Sequence, residues 1–333
     1  MRIGVGPIVE EDQSLMNTAP SIPWTYARLA GLPLAWRRRL LRMILTARRL
    51  PGRLTGRRDD TGFAATFESV LRLPRRESLR LSAAAHHHDA ATELEWCALH
   101  RRPVAAIRRD MDRVTITAPE VMERVATGGR PVILAPLHMG AYVLGLATLL
   151  LRYFPGRPML VLRQRDDLAL ETQVIERLRE TGADVRFLNV SARADFLSAV
   201  RFAQKGAVIV VFCDLAPSYG APAEMPMFGL PFRFAFGTDT LARLTGATVV
   251  PLATTMDDHG DTVTIGQPFE VRGGAAEERV QVTEIMRRHL QAAIAARPEQ
   301  WHLWPSLADY LPSSATMHDN SPAGGEAPHT LAA

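Results

Sequence analysis

The chain has 333 residues and a mass of 36.7 kDa, with 47% hydrophobic and 22% charged residues. This composition is typical of a globular protein, and the length suffices for one α/β domain plus a helical accessory region. The formal net charge is +4, and Lys205 is the sole lysine among the basic residues. No nucleic-acid-binding motif accompanies this arginine bias, so we expect no nucleic-acid partner. Arginine forks suit phosphate, sulfate and carboxylate groups, which favours an anionic substrate or partner.

Cysteine and histidine spacing gives no sign of a metal centre. Cys97 and Cys213 lack the spacing of metal ligands and fit a reducing compartment, so we predict no disulfide. His86, His87 and His88 point around a helix and do not share the four-residue spacing that brings ligands together. We therefore expect no metal and no cofactor.

The first third of the chain is predicted to be helical. Residues 1–22 have no regular pattern, and residues 23–112 are predicted to form an N-terminal helical region. Within it, the segment from residue 37 to residue 58 is rich in arginine and predicts a basic amphipathic helix. A solvated face explains this charge, and docking onto an acidic carrier protein or an anionic membrane surface is the alternative. The arginines of the segment are Arg37, Arg38, Arg39, Arg42, Arg48, Arg49, Arg53, Arg57 and Arg58.

The pattern changes at residue 113, where apolar strands begin to alternate with helices up to residue 312. The runs "VILAP", "MLVLR", "VRFLNV" and "VIVVFC" read as strands, and the segments between them carry helical periodicity. Such alternation predicts an α/β fold with a mostly parallel sheet flanked by helices. Residues 313–333 are rich in Pro, Gly, Ser and Ala and are predicted to be disordered.

No segment reaches about 18 uninterrupted apolar residues, and the N-terminus lacks a signal-peptide pattern. We therefore expect a cytoplasmic protein, with peripheral contact to the inner membrane through residues 37–58 as an alternative.

Three ionisable side chains follow the ends of predicted strands: His138, Arg163 and Asp214. Because ligands bind beyond the carboxyl ends of parallel strands, we expect the three to share one site. Each also has a structural interpretation, as a hydrogen-bonding residue, a cap or an ion-pair partner. Asp214 in particular either orients His138 or caps the turn that follows it.

The predicted substrate-binding set extends beyond these strand ends. Arg165 lies two residues after Arg163, and an extended backbone points both side chains the same way. Asp166, Tyr142 and Gly140 complete the set.

The order of several motifs makes the chain resemble a known family. The motifs "HMG", "VLRQRDD", "GAVIVVFCD", "MFGLPFRFAFGTDTLARLTGATVVPL" and "ARPEQWHLW" occur in the order and spacing of bacterial lipid A biosynthesis acyltransferases, over residues 63–310. The resemblance implies a glycerolipid acyltransferase-like fold and the transfer of an acyl chain from acyl carrier protein or coenzyme A to a hydroxyl or an amine.

The resemblance also implies a histidine base that is oriented by an acid five residues later. His138 matches the base, but the fifth residue after it is Val143. A base needs its other ring nitrogen held by an acceptor. Asp214, Asp166 and Asp167 are the candidate replacements.

Three hypotheses follow from the sequence. The first is an acyl or aminoacyl transferase with His138 as base, Asp214 as orienter and Arg163 near the oxyanion or the donor phosphate. The second is a pocket repurposed in natural-product biosynthesis, in which an amine attacks intramolecularly, or an elimination occurs, on an anionic or carrier-bound substrate. The third is a non-catalytic binding subunit. A carboxylate within hydrogen-bond reach of His138 would favour the first.

Overall fold

The computed structural model describes residues 24–54, 62–163, 169–190 and 193–312, without the side chains of 50–54, 169–171 and 193–194. The segments predicted to be irregular at the start and disordered at the end lie outside the described residues, as do Arg165, Asp166 and Asp167.

Five helices form the N-terminal region: α1 (Trp24–Leu29), α2 (Leu34–Leu54), α3 (Phe63–Val70), α4 (Arg75–Arg101) and α5 (Val104–Met111). Pro74 and Pro103 come directly before α4 and α5. A proline fits there because the first N–H groups of a helix have no intrahelical acceptor. The helical region that the sequence predicts is confirmed.

The basic segment is not simply a solvated face, because Arg37 and Arg38 are each only 1% exposed. Both guanidinium groups bind Glu95 of α4, with Nε–Oε1 distances of 3.0 and 2.9 Å. Arg37 also reaches Asp110 at 2.9 Å, and Arg38 reaches Asp261 at 2.8 Å. Their partners lie 57 or more residues away in the chain, so the local charge pattern gave no sign of this burial.

The remaining strands and helices alternate from β1 to β5 as predicted, and after β5 the strands come in groups separated by helices. They are β1 (Val114–Ile116), α6 (Pro119–Thr127), β2 (Val132–Pro136), α7 (Tyr142–Tyr153), β3 (Met159–Arg163), α8 (Ala169–Glu180), β4 (Val185–Asn189), α9 (Arg193–Gln204), β5 (Val208–Val210), β6 (Pro222–Glu224), β7 (Arg233–Ala235), α10 (Thr238–Thr245), β8 (Thr248–Met256), β9 (Asp261–Ile265), β10 (Phe269–Glu270) and α11 (Ala276–Ala296).

Eight strands form the main sheet, in the order β1-β9-β8-β2-β5-β3-β4, with β10 pairing to β8. The pairs of β2 with β5 and β8, of β3 with β4 and β5, and of β1 with β9 are parallel. β8 pairs antiparallel with β9 and β10. The predicted α/β fold with a mostly parallel sheet is confirmed; the hairpin of β6 and β7 was not predicted.

Both faces of the sheet are covered, as the central strand β2 shows. Its five residues are all buried. Ile133 and Ala135 belong to one apolar core, and Val132 and Leu134 belong to the core on the opposite face. A strand covered on both sides reads as a continuous apolar run, which is why "VILAP" stands out in the sequence. Among the described helices, none is long and apolar enough to cross a membrane.

Candidate active site

His138 and Asp214 lie beyond the carboxyl ends of the adjacent parallel strands β2 and β5. The pairing continues past β5, because the Cys213 N–H donates to the Pro136 carbonyl at 2.9 Å. This contact brings the next residues of the two segments side by side. The distance from His138 Nδ1 to Asp214 Oδ1 is 2.8 Å, and the His138 backbone N–H donates to Asp214 Oδ2, also at 2.8 Å. The carboxylate therefore holds both the ring and the main chain of His138.

The Asp214 carboxylate is fully buried and held by donors from a distant part of the chain. Trp301 donates its indole N–H to Oδ2 at 2.9 Å, and the Tyr310 hydroxyl donates to the Asp214 carbonyl at 3.1 Å. The described hydrogen bonds to the carboxylate come from His138 and Trp301, none from the turn after Asp214. This geometry favours the orienting role over the turn cap.

Two aromatic rings fix the plane of the His138 imidazole. The ring stacks on Phe212 with 3.9 Å between centroids, and Tyr142 contacts it edge-on at 5.7 Å. Nδ1 faces the carboxylate, while no hydrogen bond to Nε2 occurs among the described residues. With its side chain 25% exposed, His138 presents Nε2 as the nitrogen left for a substrate.

The imidazole borders a cavity of about 490 Å³, within the ~300–1,000 Å³ range of small-molecule sites. Most of its wall is aliphatic or aromatic. Among the described residues that line it, His138 and Arg163 have nitrogen bases, and Tyr142 and Tyr219 have phenolic hydroxyls. The cavity therefore combines an apolar interior with one imidazole and one guanidinium. Its apolar lining includes Trp96, Leu146, Val161, Ile175, Leu178, Val185, Phe187, Phe196, Val211 and Leu241.

Val143, at the position where the family resemblance expects the acid, lies in the first turn of α7 and lines the same cavity. Its apolar side chain extends the apolar wall. The acid that contacts His138 is instead Asp214, which follows the end of β5 and lies 76 residues from His138 in the chain.

Arg163 ends β3 and lines the cavity as predicted from its place at a strand end. Its Nε donates to the Asn189 side-chain oxygen at 2.9 Å, and its guanidinium lies 3.9 Å from the centroid of Phe187. Nη1 also reaches the Thr172 hydroxyl at 3.4 Å. These contacts orient the guanidinium at the cavity wall.

Gly140 does not belong to the lining of this cavity, and its role in substrate binding stays a prediction. Its φ is +58°, and a Cβ built on it would lie 2.5 Å from the Thr254 carbonyl oxygen. Only glycine fits such a close approach to β8. Tyr142, predicted in the same set, does line the cavity.

The C-terminal segment, residues 300–310, contributes residues that the sequence analysis missed. Trp301 pairs with Met139 in an isolated antiparallel bridge, so the segment lies against the loop that carries His138. The Gln300 side chain fixes it to β8 through the Met256 N–H and carbonyl, at 2.7 and 2.9 Å. The motif "PEQWHLW" was available as a signal, but a tryptophan near an apolar segment is usually core.

Cys213, next to the acid, is an unsuitable nucleophile. Burial, together with the neighbouring Asp214, raises the pKa of its thiol well above the usual value. The two described cysteines, Cys97 and Cys213, are both free.

Comparison with known proteins agrees with the geometry. A model of the bacterial lipid A biosynthesis acyltransferases matches residues 94–305, which include β2, β5, the cavity and residues 300–305 of the C-terminal segment. No curated protein matches the chain. Since the matched region covers more than half of the 333 residues, the chain belongs to the bacterial lipid A biosynthesis acyltransferase family.

Proposed function

We propose that this protein transfers an acyl or aminoacyl group from a thioester of acyl carrier protein or coenzyme A to an amine or hydroxyl acceptor. His138 acts as the general base and Asp214 orients it. The observation that carries the proposal is the 2.8 Å contact between His138 Nδ1 and the buried Asp214 carboxylate. Such a contact fixes the tautomer and stabilises the imidazolium as it forms.

In the proposed step, His138 Nε2 removes the proton from the acceptor N–H or O–H while the acceptor attacks the thioester carbonyl. A C–N or C–O bond forms, and the C–S bond breaks. The departing thiolate takes the proton back from the imidazolium and leaves as a thiol. Proton and leaving group are thereby balanced without any further reactant.

The two parts of the cavity suit the two parts of the donor. The apolar wall formed by residues such as Leu146, Ile175 and Leu178 suits an acyl chain, since burying each CH₂ contributes about 0.8 kcal/mol. Arg163 suits the donor phosphate or the oxyanion of the tetrahedral intermediate. The proposed substrate is therefore amphipathic, with an anionic part next to Arg163.

The experiment that tests the proposal is an incubation of the full chain with acyl-CoA and acyl-carrier thioesters and a panel of amines and alcohols, read by mass spectrometry. We expect an acylated product that His138→Ala abolishes. His86→Ala is the matched control, because His86 is an exposed histidine of α4. Equal product from wild type and His138→Ala would contradict the role of the base. Binding of thioester without any product would favour the non-catalytic hypothesis.

We also propose peripheral contact with an anionic membrane through α2. Trp36 and Met43 are 61% and 65% exposed and lie seven residues apart on one face of the helix. Arg39 and Arg42 are about half exposed beside them, and both contact Asp258, at 4.0 and 2.8 Å, so the two arginines outnumber this carboxylate. Aromatic and basic residues on one helix face are typical of interfacial binding.

Sedimentation with phosphatidylglycerol vesicles tests this contact. Trp36→Glu should reduce the bound fraction, whereas Val280→Glu should not, because Val280 is equally exposed but lies on α11. Equal binding of both variants would contradict the proposal.

A further inference from the structure

The loop that carries His138 is held by a short segment from the other end of the chain. The Gly140 N–H donates to the Gln300 carbonyl at 3.1 Å, and the His302 N–H donates to the His138 carbonyl at 2.9 Å. These two bonds form the antiparallel bridge between Met139 and Trp301. The main chain of the proposed base is thus paired on one side with residues 300–302.

The His302 side chain adds a contact that the backbone pairing does not supply. Its Nε2 lies 3.0 Å from the Gly140 carbonyl oxygen, and its Nδ1 lies 2.9 Å from Asp89 Oδ1 on α4. The Thr92 hydroxyl lies 3.4 Å from Nε2. A carbonyl oxygen and a carboxylate oxygen can each only accept, so the contacts with Gly140 and Asp89 are both hydrogen bonds when both ring nitrogens carry a hydrogen, with Nε2 donating to Gly140. The ring therefore links α4 to the loop that carries His138.

We propose that His302 is a positioning residue for the reaction, and this inference depends on the proposed role of His138 as base. By donating to the Gly140 carbonyl, His302 fixes the orientation of the peptide two residues after the base. The same loop donates the His138 backbone N–H to Asp214 at 2.8 Å. A rotation of the loop would therefore move the imidazole relative to the carboxylate that orients it.

The polar character of His302 is what the proposal requires. Its side chain is 16% exposed, so most of it lies inside the protein. An apolar residue of similar size could occupy the same space. An apolar side chain would leave the Gly140 carbonyl without this donor, and an unpaired buried polar group is costly. A shape-filling role alone would be satisfied by leucine; a positioning role would be satisfied by glutamine, whose amide can donate.

The test compares three variants, His302→Ala, His302→Leu and His302→Gln, with His86→Ala as the control. Hydrogen–deuterium exchange followed by mass spectrometry reports the loop peptide that contains Gly140. Kinetics with decanoyl-CoA and the acceptor found for the wild type report turnover. We expect the Ala and Leu variants to exchange faster at the loop and to lose about 10- to 100-fold in kcat, with KM nearly unchanged. The Gln variant should recover most of both.

The two readouts separate this inference from the proposed function. Unchanged exchange at the loop in the Ala and Leu variants overturns the positioning role, whatever the activity. Faster exchange with unchanged kcat also overturns it, and leaves the base to be judged by His138→Ala. Recovery by Leu as full as recovery by Gln would show a packing role and overturn the proposal. Should the Ala variant fail to fold, the Leu and Gln variants carry the comparison.

Discussion

Two regions of the molecule bury carboxylates, and they do so with different partners. At the junction of α2 and α4, Glu95 is enclosed by Arg37 and Arg38, so charge meets charge. At the sheet edge, the Asp214 carboxylate contacts the imidazole and backbone N–H of His138 and the indole N–H of Trp301. The cluster around Glu95 consists of carboxylates and guanidinium groups, whereas the contact with Asp214 holds an imidazole that lines the cavity. A buried carboxylate alone does not mark a site; a partner with a second, accessible nitrogen does.

The pKa of Glu95 expresses this difference. Burial by itself would raise that pKa, but Arg38 and Arg37 hold it at about 2. The cluster is therefore ionised at neutral pH and stabilises the packing of α2 on α4. Removing either the arginines or the carboxylate would leave the remaining charge buried without a partner.

The largest expected effect on stability comes from breaking the first region. Glu95→Gln leaves Arg37 and Arg38 buried with less compensating charge, so we expect the free energy of unfolding to fall by about 3–5 kcal/mol. Urea unfolding followed by circular dichroism measures it. Glu123→Gln is the control, because Glu123 is an exposed residue of α6. A loss below about 1 kcal/mol, as for a surface ion pair, would show that the cluster contributes little.

A smaller effect is expected from acid. His87 and His88 are buried on α4 with rings 5.1 Å apart, and burial lowers their pKa values to about 4 and about 3. The unfolded chain then binds more protons than the folded chain between pH 6.5 and pH 4. The stability from this pair is therefore fully present well above pH 6.5 and falls as the pH drops through that window, by roughly 5 kcal/mol for the two histidines together.

Asp261 opposes this trend in part, because burial raises its pKa to about 6 and it gains a proton as the pH falls. Unfolding free energies measured from pH 7 to pH 4 test the sign, and His88→Leu should flatten the curve. A flat wild-type curve, or an unchanged slope in the variant, would contradict the assignment.

The smallest effect concerns the cavity wall. Arg163→Ala removes a guanidinium that Asn189 and Phe187 orient, and we expect KM for an anionic thioester to rise about tenfold, with a smaller change in kcat. Acetyl transfer from an uncharged thioester, S-ethyl thioacetate, should change less. Equal effects on charged and uncharged donors would remove Arg163 from anion binding.

The comparison also explains what the sequence could predict. Alternating apolar strands and amphipathic helices predicted the fold, and strand ends predicted the places of His138, Asp214 and Arg163, because parallel strands end at one edge. The burial of Arg37 was not predictable, since its partners Glu95 and Asp110 lie 58 and 73 residues away.

The features of the site that the sequence could not show have the same origin. A glycine is required at position 140 because the loop passes close to the backbone of Thr254, 114 residues further along the chain, and no local pattern reveals that contact. Trp301 was missed because its indole reaches Asp214 only after the chain returns to the sheet edge. Local sequence patterns predict helices, strands and the edge of the sheet where a site lies. Contacts between segments that are remote in the chain can be identified only from the folded structure.

The central claim is that Asp214 orients His138 for proton transfer. The most direct measurement is the single-turnover rate of acyl transfer by Asp214→Asn, together with its unfolding free energy. Asparagine keeps an acceptor oxygen and the shape, but it can stabilise the wrong imidazole tautomer. We predict a rate loss of about 10³- to 10⁴-fold with thioester binding largely retained in the folded variant. A folded Asp214→Asn protein that turns over at nearly the wild-type rate would contradict the account.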